Sequence, residues 1–171
     1  KKISLLSNNN SLIANDLKID KNNKLTKVDK IDLDYFDNYN LRNKYVLSRV
    51  KNNNYELNGS LLNADIIITN LLEGKDHQQL DIFKEHIHMT LNSPDLYLDN
   101  DNVVKNLNGN LRIADNKVDQ ANIAALFDNN KNFTFTINTN NDEKITTLFS
   151  SKAKPLVKRY KFIKGFEDSS E

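Results

Sequence analysis

Residues 102–137 alternate in polarity, and strict alternation admits few folds. The stretch opens Asn-Val-Val-Lys-Asn-Leu-Asn-Gly-Asn-Leu-Arg-Ile-Ala-Asp. Val103, Leu107, Gly109, Leu111 and Ile113 stand at odd positions, with Asn106, Asn108, Asn110 and Arg112 between them. A period of two puts one set on an apolar face and the other in water, the pattern of a half-buried β-strand. Ala121, Ile123, Ala125 and Phe127 repeat it less cleanly against Gln120, Asn122, Ala124 and Leu126. Phe133, Phe135 and Ile137 repeat it again, against Thr134, Thr136 and Asn138. Three such runs with short polar connections predict an antiparallel meander.

Earlier segments read as further strands of the same sheet. Ile3, Leu5 and Leu6 are parted from Leu12, Ile13 and Ala14 by Asn8, Asn9 and Asn10, a natural turn. Leu17 and Ile19 alternate with Lys18 and Asp20. Leu25, Val28, Ile31, Leu33 and Tyr35 predict one long strand, and its three-residue steps imply a bulge or bend. Tyr45, Val46, Leu47 and Val50 form the next strand, residues 51–54 a turn, and Tyr55, Leu57, Gly59 and Leu61 the strand after it. Ile87, Met89 and Leu91 alternate with His86, His88 and Thr90, and Leu96 and Leu98 resume beyond Pro94.

One or two short helices are expected among these strands. Residues 64–72 read as the first, between an Asn63 N-cap and Gly74, although the β-branched run Ile66-Ile67-Ile68 favours strand. The other begins near Asp142, where Asn140 and Glu143 have capping-box spacing and Ile145, Leu148 and Phe149 follow at i, i+3 and i+4. Tyr160, Phe162, Gly165 and Phe166 read as a final strand.

The pentapeptide Leu57-Asn58-Gly59-Ser60-Leu61 recurs almost unchanged as Leu107-Asn108-Gly109-Asn110-Leu111, and Ala-Asp follows each copy at equal distance. Residues 55–66 and 105–116 are therefore internally similar. A glycine in mid-strand on the apolar face marks either a bulge or a place where a neighbour or ligand comes close. Only 38% of the residues are hydrophobic, so the core must be thin. A mainly β fold, a sheet with one greasy face, fits that limit better than a large α/β globule.

Catalytic chemistry finds no foothold. The chain has no cysteine, which excludes disulfides, thiol nucleophiles and thiolate zinc sites. With four glycines it has no phosphate-cradling loop, and no Gly-x-Ser-x-Gly elbow is present. His86 and His88 share a strand side near His77 and Glu85, but no third ligand is placed by spacing, and they read as an exposed face with no metal. Asp32 and Asp34 lie on a wet strand face rather than in a desolvated cleft. No catalytic residue and no cofactor is expected. Lys and Arg number 24 against 23 Asp and Glu, which gives no long-range pull on nucleic acid. The basic cluster of Lys152, Lys154, Lys158, Arg159, Lys161 and Lys164 reads as a solvated end. No apolar run approaches 20 residues, so no membrane helix lies in this stretch. The Lys-Lys start and Asp-Ser-Ser-Glu stop read as a piece of something longer, a single segment over 1–171.

The order of elements resembles the C-terminal repeated β region of the AsmA/YhdP/TamB superfamily of diderm envelope proteins. Three places carry the resemblance. Tyr55 to Leu61 is a strand closing on Leu-x-Gly. Ile87 to Leu98 and then Asn106 to Ile113 form a strand pair led by Leu-x-Gly-x-Leu. Phe133 to Ile137, the capped segment from Asp142 to Phe149, and Phe162 to Phe166 follow as strand, helix and glycine-bearing strand. The family often has Gly-Gly at the last place, where this chain has Lys164-Gly165.

The resemblance implies a twisted, mostly antiparallel sheet curled into an elongated trough with an apolar inner face and one or two short helices. It implies the periplasmic part of an inner-membrane-anchored protein that conducts phospholipid between the two membranes, with acyl chains in the groove and the anchor outside this segment. The ends of the full-length chain are then expected to meet membrane or envelope proteins. By strand parity Leu57, Leu61, Ile87, Met89, Leu91, Leu107, Leu111, Ile113, Phe133, Phe135 and Ile137 would line that groove. An acyl chain of about 15 carbons gives up on the order of 12 kcal/mol on leaving a bilayer, at ~0.8 kcal/mol per methylene, and only continuous apolar contact returns it. Two other readings stay open. The same rows could pack against a second sheet in a β-sandwich that binds a protein partner, or line a lipopolysaccharide-bridge type of β-jelly roll.

Overall fold

Ten strands hydrogen-bond side by side in one sheet in the computed structural model, which describes residues 1–21, 25–64, 86–98, 102–114, 117–140 and 143–152. In chain order the strands are β1 Ile3–Ser7, β2 Asn10–Asn15, β3 Lys18–Ile19, β4 Leu25–Lys27, β5 Lys30–Phe36, β6 Arg42–Lys51, β7 Asn54–Asn63, β8 Ile87–Tyr97, β9 Val103–Ala114, β10 Lys117–Phe127, β11 Lys131–Asn140 and β12 Glu143–Ser150. The spatial order is β1-β2-β5-β6-β7-β8-β9-β10-β11-β12, and β3 and β4 form a separate two-stranded sheet. The large sheet is mostly antiparallel, does not close on itself and curls into a trough. One neighbouring pair, β7 and β8, runs parallel.

Cross-strand partners share a face, so the register shows what each face is made of. From β12 to β1 one row of partners reads Leu148, Phe135, Ile123, Gly109, Leu91, Leu57, Leu47, Ile31, Ala14 and Ile3. Every member is apolar. The adjacent row on the other face reads Thr147, Thr136, Asn122, Asn110, Thr90, Glu56, Ser48, Lys30 and Asn15. Every member is polar. Val104 and Ile137 are fully buried on the inner face, each a contribution of about 1.5–3 kcal/mol from the area removed from water.

Three adjacent strands change parity together. On β8 the inward residues are Ile87, Met89, Leu91 and Ser93, and then Leu96; on β9 they run from Ile113 back to Leu107, and then Val104. Leu62, Leu96 and Val104 are partners in one row; Leu61, Asp95 and Lys105 align on the opposite face. The slip is absorbed by register shifts at the two flanks, between Lys44 and Tyr45 of β6 and between Ala124 and Leu126 of β10. Asn106, with φ 54, supplies the left-handed residue on β9, and Pro94, which has no N–H to give, sits at the slip on β8. Bulges bend strands and sharpen their twist, and a bulge line across three strands helps to curl the sheet.

Several sequence expectations are corrected. The segment expected to form a helix near Asp142 is strand β12, whose Glu143 is the cross-strand partner of Asn140 at the end of β11 rather than its capping-box mate. Its helical spacing was misleading, because Ile145 and Phe149 face outward, each 55% exposed, while Leu148 alone joins the apolar row. The helical element of the family resemblance is therefore missing here. The expected long strand from Leu25 to Tyr35 is two strands in two sheets, β4 and β5, with fully buried Val28 between them. At the start of β9 the inward valine is Val104, not Val103, because Asn106 inserts one residue. Among the described residues the helical structure is a single 3-10 turn, Asp128–Asn130. The expected helix over 64–72 and the final strand near 160–166 fall, apart from Ala64, outside the described residues.

The repeated glycines flank β8 on the inner face but differ in surroundings. A Cβ on Gly109 would stand 2.6 Å from the Asn122 carbonyl oxygen and 2.9 Å from Ile123 Cα; on Gly59 its nearest neighbour would be Tyr45 Cβ at 3.3 Å. Gly109 thus marks close approach of a neighbouring backbone, and Gly59 sits beside the register shift. Gly109→Ala is expected to cost about 1–3 kcal/mol in urea unfolding, as overpacking does, and Gly59→Ala less; equal losses would contradict this geometry.

Candidate apolar binding site

The inner face encloses a cavity of about 200 Å³ between β6 and β12. Leu57, Met89, Leu91, Leu107, Leu111, Phe133 and Phe135 line it, seven of the residues that parity had selected. Ile137 is buried in the same cluster, which also holds the Phe127–Phe133 edge-to-face pair, with ring centroids 5.9 Å apart. Ile87 and Ile113 lie farther along the face, in a second cluster built around Leu17, Val28, Leu47 and Tyr55. Leu61 does not join them. It pairs with Lys44 and Asp95 on the outer face, because the slip between Gly59 and Leu62 reverses its parity.

Sequence reasoning missed Tyr45, Leu62, Ala64, Ser93, Leu96, Ile123 and Leu148 as lining residues. Ile123 was legible from its own alternation. Leu62 and Leu96 lie beyond the slip, where simple parity points the wrong way, and Leu148 was assigned to a helix.

The lining is almost wholly hydrocarbon, and the hydroxyls of Ser93 and Tyr45 are respectively hydrogen-bonded and hard to ionise. Ser93 Oγ donates to the Asp95 carbonyl at 2.8 Å. Burial, with Tyr35 beside it, pushes the Tyr45 phenol up to about 12. The outer face carries paired charges. There Arg42 donates to both carboxylate oxygens of Asp34, at 2.8 and 2.7 Å, and holds that carboxyl below the usual carboxylate range. Arg112 donates to Asp119 through Oδ2 alone, at 2.7 Å from Nε, and likewise holds that carboxyl below its usual range. Asp32 pairs with Lys30 at 3.0 Å. His86 and His88 are both exposed, and among the described residues no three metal-ligating side chains come together. A volume of about 200 Å³ falls short of the ~300–1,000 Å³ that encloses a whole small molecule, so the cavity suits a stretch of apolar chain whose remainder lies along the face.

No family model matches this chain, and neither curated proteins nor solved structures give a match.

The raised phenols make stability depend on alkaline pH. Tyr45 and Tyr35 hold their protons more tightly folded than unfolded, so the stability they add is fully present below pH 10.0 and is lost as pH rises through their folded values. The unfolding free energy is expected to fall between pH 10 and about 12, less steeply in Tyr45→Phe. Parallel slopes in the two proteins would show that Tyr45 is not the linked group.

Proposed function

We propose that this chain is a length of hydrophobic trough that conducts phospholipid tails between the inner and outer membranes of a diderm envelope. The observation that carries the reading is the unbroken apolar row from Leu148 to Ile3 on one side of an open sheet, set against a polar row, Thr147 to Asn15, on the other. A tail moving across such a face exchanges one aliphatic neighbour for another and meets no unpaired charge, whereas headgroups stay in water at the rim. The chemistry is transfer without bond-making, so no catalytic group is required. The resemblance to the AsmA-like β region adds the periplasmic setting, the inner-membrane anchor elsewhere in the full-length protein, and envelope or membrane partners at its ends.

A second reading, a protein-binding module, is favoured by β1. Leu5 and Leu6 are 62% and 72% exposed on this terminal strand, which offers backbone and apolar side chains to a docking strand.

A charge in the trough separates the two readings. Leu111 lines the cavity, and its neighbour Asn110 is exposed on the outer face. Leu111→Asp puts a carboxylate in the path of the tails, at several kcal/mol unless it is paired or protonated. Lipid photocrosslinking and envelope complementation are expected to fail in Leu111→Asp and to survive in Asn110→Asp, with circular dichroism showing both folded. Equal behaviour of two folded variants would remove the trough reading and leave the docking one.

A further inference from the structure

The inner face is covered at one end by the chain itself. Asn15 of β2 and Lys30 of β5 are direct cross-strand partners, so residues 16–29 are an insert in what would otherwise be a simple hairpin. The insert departs at Asp16, with φ 53, forms the separate β3–β4 ladder and returns through Asp29. Its Leu17 and Val28 are buried and Leu25 half-buried, against Leu47, Tyr55, Ile87 and Ile113 of the large sheet.

Polar ties hold the base of this insert. Asp29 N–H donates to the Asn15 carbonyl at 3.2 Å, and Asp29 in turn accepts through its carbonyl from Arg49 N–H at 2.8 Å. The Asp29 carboxylate pairs with Lys27 at 3.0 Å and Arg49 at 3.4 Å. On the other arm Leu17 N–H donates to the Lys1 carbonyl at 3.0 Å and the Lys1 terminal amine to the Leu17 carbonyl at 3.3 Å; farther out the packing is aliphatic, with Leu25 turned to the cluster and Ile19 53% exposed. Leu57 and Met89 line the cavity and also pack against the cluster that includes Leu17 and Val28. The covered end is therefore continuous with the cavity. A hydrocarbon chain running from the cavity past Met89 would meet the insert, and it offers the sheet the same chemistry that Leu17, Leu25 and Val28 already supply.

We propose that the β3–β4 hairpin is a built-in plug: it occupies the Ile87/Ile113 end of the apolar face, turns about its base at Asp16 and Asp29, and is displaced by a lipid tail that enters from the cavity. This rests on the trough reading above and adds a gate to it. Two arrangements of one apolar seat, hairpin in or tail in, compete directly, so weakening one raises occupancy of the other.

The pairing of Asn15 with Lys30 supplies the test, because an Asn-Gly turn can join those positions without touching the ten-stranded ladder. A photoreactive benzophenone side chain is placed at Ile113 for the covered end or at Phe135 for the cavity. The protein is then irradiated with phosphatidylethanolamine–phosphatidylglycerol vesicles. Replacing residues 16–29 by Asn-Gly is expected to raise lipid crosslinking at position 113 roughly tenfold and to leave position 135 unchanged. Leu25→Asp, which loosens the hairpin without removing it, is expected to shift position 113 the same way and keeps the test available if the shortened chain does not fold. Unchanged crosslinking at 113 in folded variants, with lipid still captured at 135, would overturn the plug and leave the trough. Absence of lipid at 135 in every variant would instead overturn the trough reading, and the plug with it.

Discussion

Hydrogen-bonded neighbours in a sheet must present like faces together, and the rest of this structure depends on that constraint. Ten strands in register carry one apolar residue each to the same side, from Leu148 on β12 to Ile3 on β1. With few hydrophobic residues to spend, the chain assembles its core from one face of a single sheet, and curling brings distant strands of that face into contact. Leu96 of β8 and Phe133 of β11, with β9 and β10 between them, belong to one buried cluster for this reason.

Curvature and register are linked through the bulge line. One extra residue in each of β7, β8 and β9 keeps those three strands in register with each other and shifts them against β6 and β10. Without that slip Leu61 would face inward in place of Leu62. The cost is a local break in alternation; the return is a bend where the cavity lies. Gly109 serves the same end by letting Ile123 and its backbone come close across the pleat.

An apolar face open along its length and closed at one end by the chain's own aliphatic residues has two ways to satisfy its hydrocarbon surface. The hairpin from β3 to β4 satisfies the Ile87/Ile113 end internally, and the cavity bounded by Leu91, Leu111 and Phe135 is left for something else. Outside, the paired charges of Asp34 with Arg42 and Asp119 with Arg112 keep the other face wet and discourage a second apolar layer there. A surface divided in this way suits tails on one side and water on the other.

Much of this was legible in the sequence, because strand parity is a local property: a residue's face follows from its neighbours two positions away. Alternation in β9, β10 and β11 marked Leu107, Leu111, Phe133, Phe135 and Ile137 as inward before any pairing was known. The misreadings occurred where a long-range partner decides. Residues 143–150 carry apolar groups at helical spacing, yet pairing with β11 draws them into the ladder as a strand. Val103 and Leu61 are counted on the wrong face by parity because a bulge, visible only in the pairing with β6 and β10, shifts the count by one. The parallel seam of β7 with β8 and the folding of Leu17 and Val28 over Ile87 join residues far apart in the chain. The amino-acid sequence by itself determined that there would be strands and which residues each would turn from water. Only the tertiary structure decided where the count slips and which end of the apolar face is covered, since both depend on contacts made after the strands have found their neighbours.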